Sequence, residues 1–327
     1  MGMKDYIIRR SIQNVILFLA AMVINFFIFH LIPGDPASYL LPPGTEPETR
    51  RILREQYGFD KPVTEQFVNY LKMVASGKFG HSFIYNRPVG KVIFGDTFLD
   101  SRILNTLILM GTSLALAITI GTLLGLMAAW KRGSKFDYAV SISSLVVYSL
   151  PVFFVGLLVI LFFGIHLHWI PITGTHTPFI KQTRIEFILD YLHHLLAPMF
   201  VITLFFIPNY FIITRNNTLD IFSEDFMQTA EAKGLSDRQI VFKHAGKNSF
   251  LPTLSLIAIQ MNYVVAGAML TETVFSWPGI GRMTYEAILA PDYPLLEGMF
   301  LIIAAVVITS NFIADILYAV LDPRIRY

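Results

Sequence analysis

The chain has 327 residues, of which 54% are hydrophobic and only 15% are charged. Soluble domains carry about 25% charged residues, so this composition excludes an ordinary soluble protein and predicts a polytopic membrane protein. The formal net charge of +2 is uninformative as a sum, and we expect no nucleic-acid partner. Because the chain has no cysteine, disulfides, thiolate metal sites and a cysteine nucleophile are excluded.

Six apolar segments are long enough to cross the membrane core, which takes about 20 residues. The first could be mistaken for a signal peptide, but its apolar run is too long and no small-residue cleavage site follows. The predicted spans are Ile12–Ile32, Ile103–Ala129, Tyr138–Ile165, Leu195–Ile213, Leu251–Phe275 and Met299–Leu321. The sequence therefore predicts an all-α membrane protein with six transmembrane helices.

Basic residues are unevenly distributed between the short segments that flank these spans. The N-terminus, 131–135, 215–247 and the tail hold thirteen Lys and Arg, whereas the other short loops hold three. Basic residues collect on the cytoplasmic side of a membrane. We therefore predict a protein of the cell membrane with both termini in the cytoplasm. The long segment 33–101 is then extracytoplasmic, since long loops cross largely regardless of charge.

This extracytoplasmic segment is predicted to contain two helices. Thr45 and Glu48 have the spacing of a capping box, with Pro47 in the first turn of the helix that follows. A second, amphipathic helix is predicted over Val63–Ala75, with Gly77 as its stop. Two interpretations stay open, a cap packed over the helix ends and a docking surface for a solute receptor.

Inside the spans, Pro151, Pro198 and Pro208 are predicted to bend their helices. Small residues cluster over 111–125 and 266–268, where we expect close helix packing rather than a transport path.

Two acidic residues of the spans, Glu272 and Asp315, are placed near span ends where hydration is cheap, and we interpret Glu272 as structural. Four histidines are expected to anchor the chain at the interface beside Trp169 rather than to bind a metal, because no third ligand has a useful spacing. They are His166, His168, His193 and His194.

The longest polar interruption in the second half of the chain is Ser223–Pro252. Ser223 is predicted to cap a helix that ends at Gly234, the residue type that most readily adopts the left-handed conformation. Ser236 and Gln239 have the spacing of a capping box for a second helix that runs towards Pro252. We call this pair of helices, within residues 223–250, the elbow.

The elbow carries apolar residues that nothing nearby in sequence obviously covers. They are Phe226, Met227, Ile240 and Val241. Two interpretations stay open at this point, a functional surface and a cytoplasmic loop that happens to be helical.

Several functional motifs are absent from the sequence. No G-x-x-x-x-G-K-[ST] run cradles a phosphate, and neither G-x-S-x-G nor H-E-x-x-H occurs. The chain is therefore not expected to be an enzyme or to bind a cofactor or metal itself. If the system uses ATP, another chain hydrolyses it.

The elbow sequence resembles the coupling loop of ABC-importer permeases, specifically the dipeptide and oligopeptide branch. The matching residues are Ala230, Ala232, Lys233, Gly234, Leu235, Ser236, His244, Ala245, Asn248, Leu251 and Pro252. The general importer pattern has Glu-Ala-Ala six residues before the glycine, where this chain has Gln228, Thr229 and Ala230. That departure fits the peptide branch. The long loop, the turn at Thr271–Arg282 and the C-terminal string also resemble this branch.

The resemblance implies a type I ABC importer permease fold with a small helical extracytoplasmic region. The implied domains are 1–32, with the first span, the loop 33–101, a five-helix core over 102–321 with the coupling loop 214–250, and the tail 322–327. The residues implied to couple to the ATPase are Phe226, Met227, Ala230, Glu231, Ala232, Lys233, Gly234, Leu235 and Ser236. No residue of the substrate path is assigned.

The implied partners are a second homologous permease subunit, two cytoplasmic ATP-binding subunits that hold ATP and Mg²⁺, an extracytoplasmic solute-binding protein and membrane lipid. The implied substrate is a dipeptide or oligopeptide, with nickel complexes or oligosaccharides as alternatives. A secondary transporter is disfavoured because no internal repeat is visible and charged residues avoid span centres. A membrane enzyme or scaffold is disfavoured because no reactive group of residues is found.

Overall fold

The computed structural model describes residues 3–31, 45–58, 60–97, 100–178, 180 and 183–321. The predicted tail 322–327 and the first part of the predicted loop, 32–44, lie outside the described residues. The described chain is mostly helical, as the apolar segments predict, with one two-stranded antiparallel sheet.

The helices and strands follow one another in chain order. The first part contains α1 (Met3–His30), α2 (Pro47–Tyr57), α3 (Val63–Ala75), β1 (His81–Ser82), β2 (Arg87–Pro88), α4 (Val89–Phe94) and α5 (Arg102–Trp130). The second part contains α6 (Lys135–Ser149), α7 (Val152–Val159), a π-helix (Ile160–His166), α8 (Arg184–Phe222), α9 (Asp225–Ala232), α10 (Asp237–Gln239), a second π-helix (Ile240–Ala245), α11 (Gly246–Ala266), α12 (Met269–Val274), α13 (Ile280–Leu289) and α14 (Tyr293–Leu321).

The chain divides into two compact units, one formed by Met1–Asn105 with Gly279–Tyr327 and the other by Thr106–Pro278. In the first unit α1 packs along α14, and α3 covers both with an apolar cluster that includes Met22, Phe26, Tyr70 and Leu301. The carboxamide of Asn25 donates to Tyr70 Oη at 3.3 Å and to the Glu297 carbonyl at 2.9 Å. Helix α3 is thus held on the spanning helices as a cap.

Both helices predicted for the long loop are present, α3 with the predicted bounds. The N-cap of α2 is Glu46, which makes no side-chain cap hydrogen bond, and Pro47 occupies the first turn as predicted. The capping box from Thr45 to Glu48 stays a prediction. Gly77 follows α3 with φ of +70°, the left-handed conformation expected of its stop.

The β-hairpin of the first unit is fixed by buried polar contacts. Ser82 Oγ and the Ile84 amide both donate to Asp292 Oδ2, at 2.6 and 3.0 Å. Tyr85 Oη donates to Glu286 Oε2 at 2.5 Å, and Arg282 Nε donates to Glu286 Oε1 at 2.8 Å.

These contacts shift the pKa values of two groups in the hairpin region. Burial and the hydrogen bond to Glu286 raise the pKa of Tyr85 to about 12. Burial acts to raise the pKa of Glu286, but the hydrogen bond from Tyr85 and the charge of Arg282 outweigh it, so its pKa lies below the usual range. At neutral pH the hairpin is therefore held by a neutral phenol on an ionised carboxylate.

In the second unit α8 is the central helix, and α6, α7, α11 and α12 pack against it. It runs without interruption through Pro198 and Pro208, well beyond the predicted span at both ends. Its start is fixed by a capping box in which Thr183 Oγ1 accepts from the Glu186 amide and Glu186 accepts from the Thr183 amide at 2.8 Å. The core of this unit includes Leu109, Ile202 and Trp277.

Two of the predicted spans are broken. The helix pair Lys135–Ser149 and Val152–His166 bends by 99°, at the position of Pro151. The segment predicted as Leu251–Phe275 ends as α11 at Ala266, and Gly267, with φ of +78°, separates it from α12. Proline lacks an amide donor and glycine tolerates a positive φ, so each break has a local cause.

Among the described residues, four helices are long and apolar enough to span a membrane, α1, α5, α8 and α14, and the bent pair can count as a fifth. The apolar part of α11, Pro252–Met261, is shorter. The chain is therefore a multi-pass helical membrane protein, and the count of six spans stays a prediction.

The environment of Glu272 differs from the one that we expected. Its side chain is fully buried rather than hydrated at a span end, and Oε1 accepts from Thr106 Oγ1 at 2.8 Å. Helix α12 is thus pinned to α5 by a buried hydrogen bond, which is consistent with a structural role.

Candidate coupling elbow

The elbow begins where α8 ends. Ser223 was predicted to cap the next helix, but its hydroxyl donates backwards to the Asp220 carbonyl at 2.5 Å. Ser223 therefore closes α8, and α9 starts two residues later at Asp225. The prediction that Ser223 caps the first elbow helix is wrong.

The predicted helix stop at Gly234 is confirmed. Its φ is +70°, and Lys233 donates its amide back to the Thr229 carbonyl at 3.2 Å as α9 finishes. A Cβ added at Gly234 would meet no atom within 4 Å. Glycine is therefore favoured here by its backbone conformation alone and not by crowding.

The predicted capping box after the turn is also present. The Ser236 amide donates to Gln239 Oε1 at 3.1 Å, which fixes the start of α10. The chain then enters the π-helix Ile240–Ala245 and continues into α11 without a gap. Pro252 lies inside α11 and does not open a separate segment as predicted. The second arm of the elbow is thus continuous with a helix of the apolar core.

Most of the apolar surface predicted for the elbow is covered by the elbow itself. Met227, Ile240 and Val241 are 1%, 8% and 1% exposed. Met227 and Ile240 pack with Ala230 and Ala245 in a small core of the elbow. Only Phe226, at 43% exposed, presents a large apolar side chain from the predicted set. Met227 and Ile240 are covered because the π-helix of the second arm packs against α9.

The predicted coupling residues whose side chains the structure describes divide into a buried group and an exposed group. Met227 and Ala230 are buried in the elbow core and Leu235 is half-buried at its edge, so they stabilise the elbow. The exposed group consists of Phe226, Ala232, Lys233, Gly234 and Ser236. The backbone of Glu231 belongs to α9, and its side chain lies outside what the structure describes.

An ion pair joins α8, about two turns before the elbow begins, to α6. Arg215, on α8, donates from Nε to Asp137 Oδ1 at 2.6 Å and from Nη2 to Asp137 Oδ2 at 2.9 Å. The Asp137 side chain is 3% exposed, and it also accepts from the Gly133 amide at 3.0 Å. A bidentate guanidinium–carboxylate pair fixes orientation as well as distance. The end of α8 is therefore held rigidly against the start of α6.

Close helix contact reinforces the same region. A Cβ at Gly125 of α5 would lie 2.8 Å from the Phe211 carbonyl oxygen and 3.0 Å from the Arg215 amide nitrogen. Thr214 Oγ1 and Thr253 Oγ1 are 3.3 Å apart in a buried contact between α8 and α11. Helices α5, α6, α8 and α11 are thus closely packed beside the elbow.

The Asp137–Arg215 pair was not predicted from the sequence, where Arg215 was only one of the basic residues used for the orientation. The two are far apart in the chain, so spacing could not pair them. The only signal was a carboxylate at the start of a span among basic residues, where an ion pair lowers the cost of its burial.

The histidines form no metal centre in the part of the chain that the structure describes, which contains no group of three His, Asp or Glu side chains suited to a metal ion. His193 Nε2 is 2.9 Å from the Trp169 carbonyl oxygen, in agreement with a place beside Trp169. His194 Nδ1 is 3.3 Å from Asp190 Oδ1.

The chain matches two families of known proteins. Residues 121–327 match the family described as binding-protein-dependent transport system inner membrane component, and residues 3–119 match the N-terminal family of the same membrane components.

Three relatives illustrate the range of similar proteins, each aligned over 99% of this chain. The oligopeptide transport system permease protein AppB of Bacillus subtilis is 33% identical and covered in full. The di/tripeptide transport system permease protein DppB of Pseudomonas aeruginosa is 35% identical and covered over 99%. The glutathione transport system permease protein GsiC of Salmonella choleraesuis is 31% identical and covered in full.

The family matches extend over nearly the whole chain, and the relatives align with it from end to end. The resemblance inferred from the elbow, the long loop and the tail is confirmed. The chain belongs to the family of binding-protein-dependent transport system inner membrane components, the permease subunits of ABC transport systems.

Proposed function

We propose that this chain is the permease subunit of an ATP-driven importer for dipeptides or oligopeptides. It forms half of the translocation path beside a second, homologous permease subunit. Two cytoplasmic ATP-binding subunits hold ATP and Mg²⁺ and hydrolyse the nucleotide, and an extracytoplasmic solute-binding protein delivers the substrate. The chain itself is neither an enzyme nor a cofactor carrier.

The observation that carries this proposal is the construction of the elbow. Its core is closed around Met227 and Ile240, while Phe226 and the turn 232–236 project outward. Its two ends continue into α8 and α11. The Arg215–Asp137 pair and the Gly125 contact hold α8 to its neighbours, and Thr214 contacts Thr253 of α11. A rigid body with an exposed tip and two anchored arms can transmit displacement without chemistry.

The proposed mechanism follows from that construction. Closure of the ATPase pair on ATP pushes the exposed tips of two elbows towards each other. Because each elbow is rigid, its spans move as a body and the path changes from inward-facing to outward-facing. Such domain motions occur on the microsecond to millisecond scale.

The peptide substrate is supported by the names of the relatives, of which one is an oligopeptide permease, one a di/tripeptide permease and one a permease for glutathione, itself a peptide. Nickel complexes and oligosaccharides are the competing substrates.

The membrane orientation rests on the distribution of Lys and Arg. A tag after Tyr327 should be shielded from an impermeant reagent added outside the cell, and a tag near Gly77 should be labelled; the opposite pattern would overturn the orientation.

The function is tested by reconstituting this chain in liposomes with its permease partner, the ATP-binding subunits and the solute-binding protein. We expect ATPase activity stimulated by the loaded binding protein, and ATP-dependent accumulation of a labelled dipeptide or oligopeptide. The same liposomes are offered a nickel complex and an oligosaccharide. Uptake of either of these in place of peptides would replace the proposed substrate, and uptake without ATP-binding subunits would reject an ABC importer.

A further inference from the structure

Two breaks of the backbone in the second unit and one proline within α8 border a single cavity of about 210 Å³. Val152 lines it directly after the break at Pro151, and Asn209 lines it directly after Pro208. Gly267, at the break between α11 and α12, lines it as well. Irregular backbone at membrane depth is tolerated only where protein covers it or where it borders a cavity.

The lining combines apolar walls with a few uncharged polar groups. Phe205 and Phe206 contribute aromatic rings, whereas Asn209, Tyr263 and Thr271 contribute a carboxamide and two hydroxyls. None of the described residues that line the cavity is charged. Ligand sites are commonly of this composition, apolar with a small number of polar groups that set orientation.

The cavity is also reachable. Tyr263 is 56% exposed in the isolated chain, although it lies one turn before the break at Gly267 within an apolar helix. The phenol of Tyr263 can therefore contact a molecule that enters the cavity from the exposed face of α11.

We propose that this cavity is a contact site for the peptide substrate on its path through the membrane, with Asn209 as the residue that recognises a peptide group. This inference rests on the proposed function and names the part of the chain that meets the substrate. A carboxamide both donates and accepts hydrogen bonds, so it can pair with the N–H and C=O of one peptide unit. The phenylalanine rings beside it accommodate an apolar side chain.

Size and charge favour a peptide over the alternatives. A cavity of about 150 Å³ is large enough to hold a benzene ring, so the observed volume fits one amino-acid side chain but not a whole oligopeptide. The absence of a carboxylate or basic group in the described lining gives an ionised metal complex no counter-charge. An oligosaccharide would present more hydroxyls than three polar side chains can satisfy.

The first test uses photocrosslinking in the complete reconstituted importer with a labelled peptide. The photoreactive residue benzoylphenylalanine replaces Tyr263 in one variant and Tyr138 in the control. Tyr138, on α6, is 62% exposed and does not line the cavity. We expect ATP-dependent labelling at position 263 and background labelling at position 138. Equal labelling at the two positions, or none at position 263 while import proceeds, would overturn the inference.

The second test compares three substitutions by the initial rate of import at several peptide concentrations. Asn209→Leu keeps the size of the side chain and removes its hydrogen bonds, so import should fall about three- to tenfold, the range for one hydrogen bond. Asn209→Gln retains the amide and should recover most of that loss. Asn311→Leu, on an exposed position of α14, should import at the wild-type rate.

The outcomes separate this inference from the proposed function. If the unmodified complex imports no peptide, the proposed function fails. If it imports peptide and Asn209→Leu imports equally well, the function stands and the cavity is only a packing defect.

Discussion

Two glycines of the second unit illustrate two different requirements for the same residue. Gly125 lies in a regular helix, where an added Cβ would come within 2.8 Å of α8. Gly234 lies in the turn of the elbow, where an added Cβ would meet nothing, but its φ is +70°. The first is required by space and the second by conformation. Glycine in the core thus allows two helices to pack closely, whereas glycine in the elbow allows the chain to change direction between two helices.

The contact side of this comparison predicts the largest effect. Gly125→Leu must separate α5 from α8, and overpacking of this kind costs about 3 kcal/mol or more when backbone has to move. We expect a large fall in the thermal unfolding temperature of the purified subunit complex and a loss of assembled complex. Gly111→Leu is the matched control in the same helix, because a Cβ at Gly111 meets no atom within 4 Å. Equal stability of the two variants would show that the helix contact is not tight.

The ion pair that joins core and elbow predicts an intermediate effect. Asp137→Asn removes the charge of a carboxylate that receives two hydrogen bonds from Arg215. Losing the charged partner of a largely buried guanidinium should cost about 2 kcal/mol. Thermal unfolding measures the loss, and the ratio of transport to ATP hydrolysis shows whether the elbow has loosened.

Asp220→Asn is the control for the Asp137–Arg215 pair, since Asp220 is exposed near the end of α8, the helix that carries Arg215. It should leave both quantities unchanged. If Asp137→Asn behaves like Asp220→Asn, the pair makes no contribution and the elbow must be anchored by helix packing alone.

The same contrast explains what could be predicted from sequence. The left-handed Gly234, the box from Ser236 to Gln239 and the helix Val63–Ala75 were predictable because each depends on residues within a few positions. Propensity and capping act over that range. The direction of the Ser223 hydrogen bond was not predictable, since a serine between two helices can close one or open the other.

Features that depend on distant parts of the chain were missed. The burial of Met227 depends on its contact with Ile240 and Ala245 in the second arm, which the hydrophobic spacing within α9 does not reveal. The pairing of Asp137 with Arg215 joins two helices, and a single sequence contains no record of it. The burial of Glu272 depends in the same way on Thr106, so its position near a predicted span end was misleading.

The conformational side of the comparison predicts the smallest change in stability and the most selective change in function. At Gly234 a valine must adopt a left-handed conformation, at a cost on the order of 1–2 kcal/mol. The chain can avoid that cost by continuing α9 through the turn, which would displace the exposed tip. We expect Gly234→Val to assemble normally but to lose transport per ATP hydrolysed. Gly234→Asn should be milder, because asparagine tolerates this conformation better.

Gly77 provides a stringent control for this effect. It follows α3 in the first unit, has φ of +70° and likewise has no atom within 4 Å of an added Cβ. Gly77→Val therefore imposes the same backbone strain outside the elbow and should cost similar stability. If the elbow transmits the ATPase stroke, only Gly234→Val should reduce the ratio of transport to ATP hydrolysis. Equal ratios in the two variants would mean that strain in any turn is tolerated, and the elbow would then be a solvated loop rather than a lever.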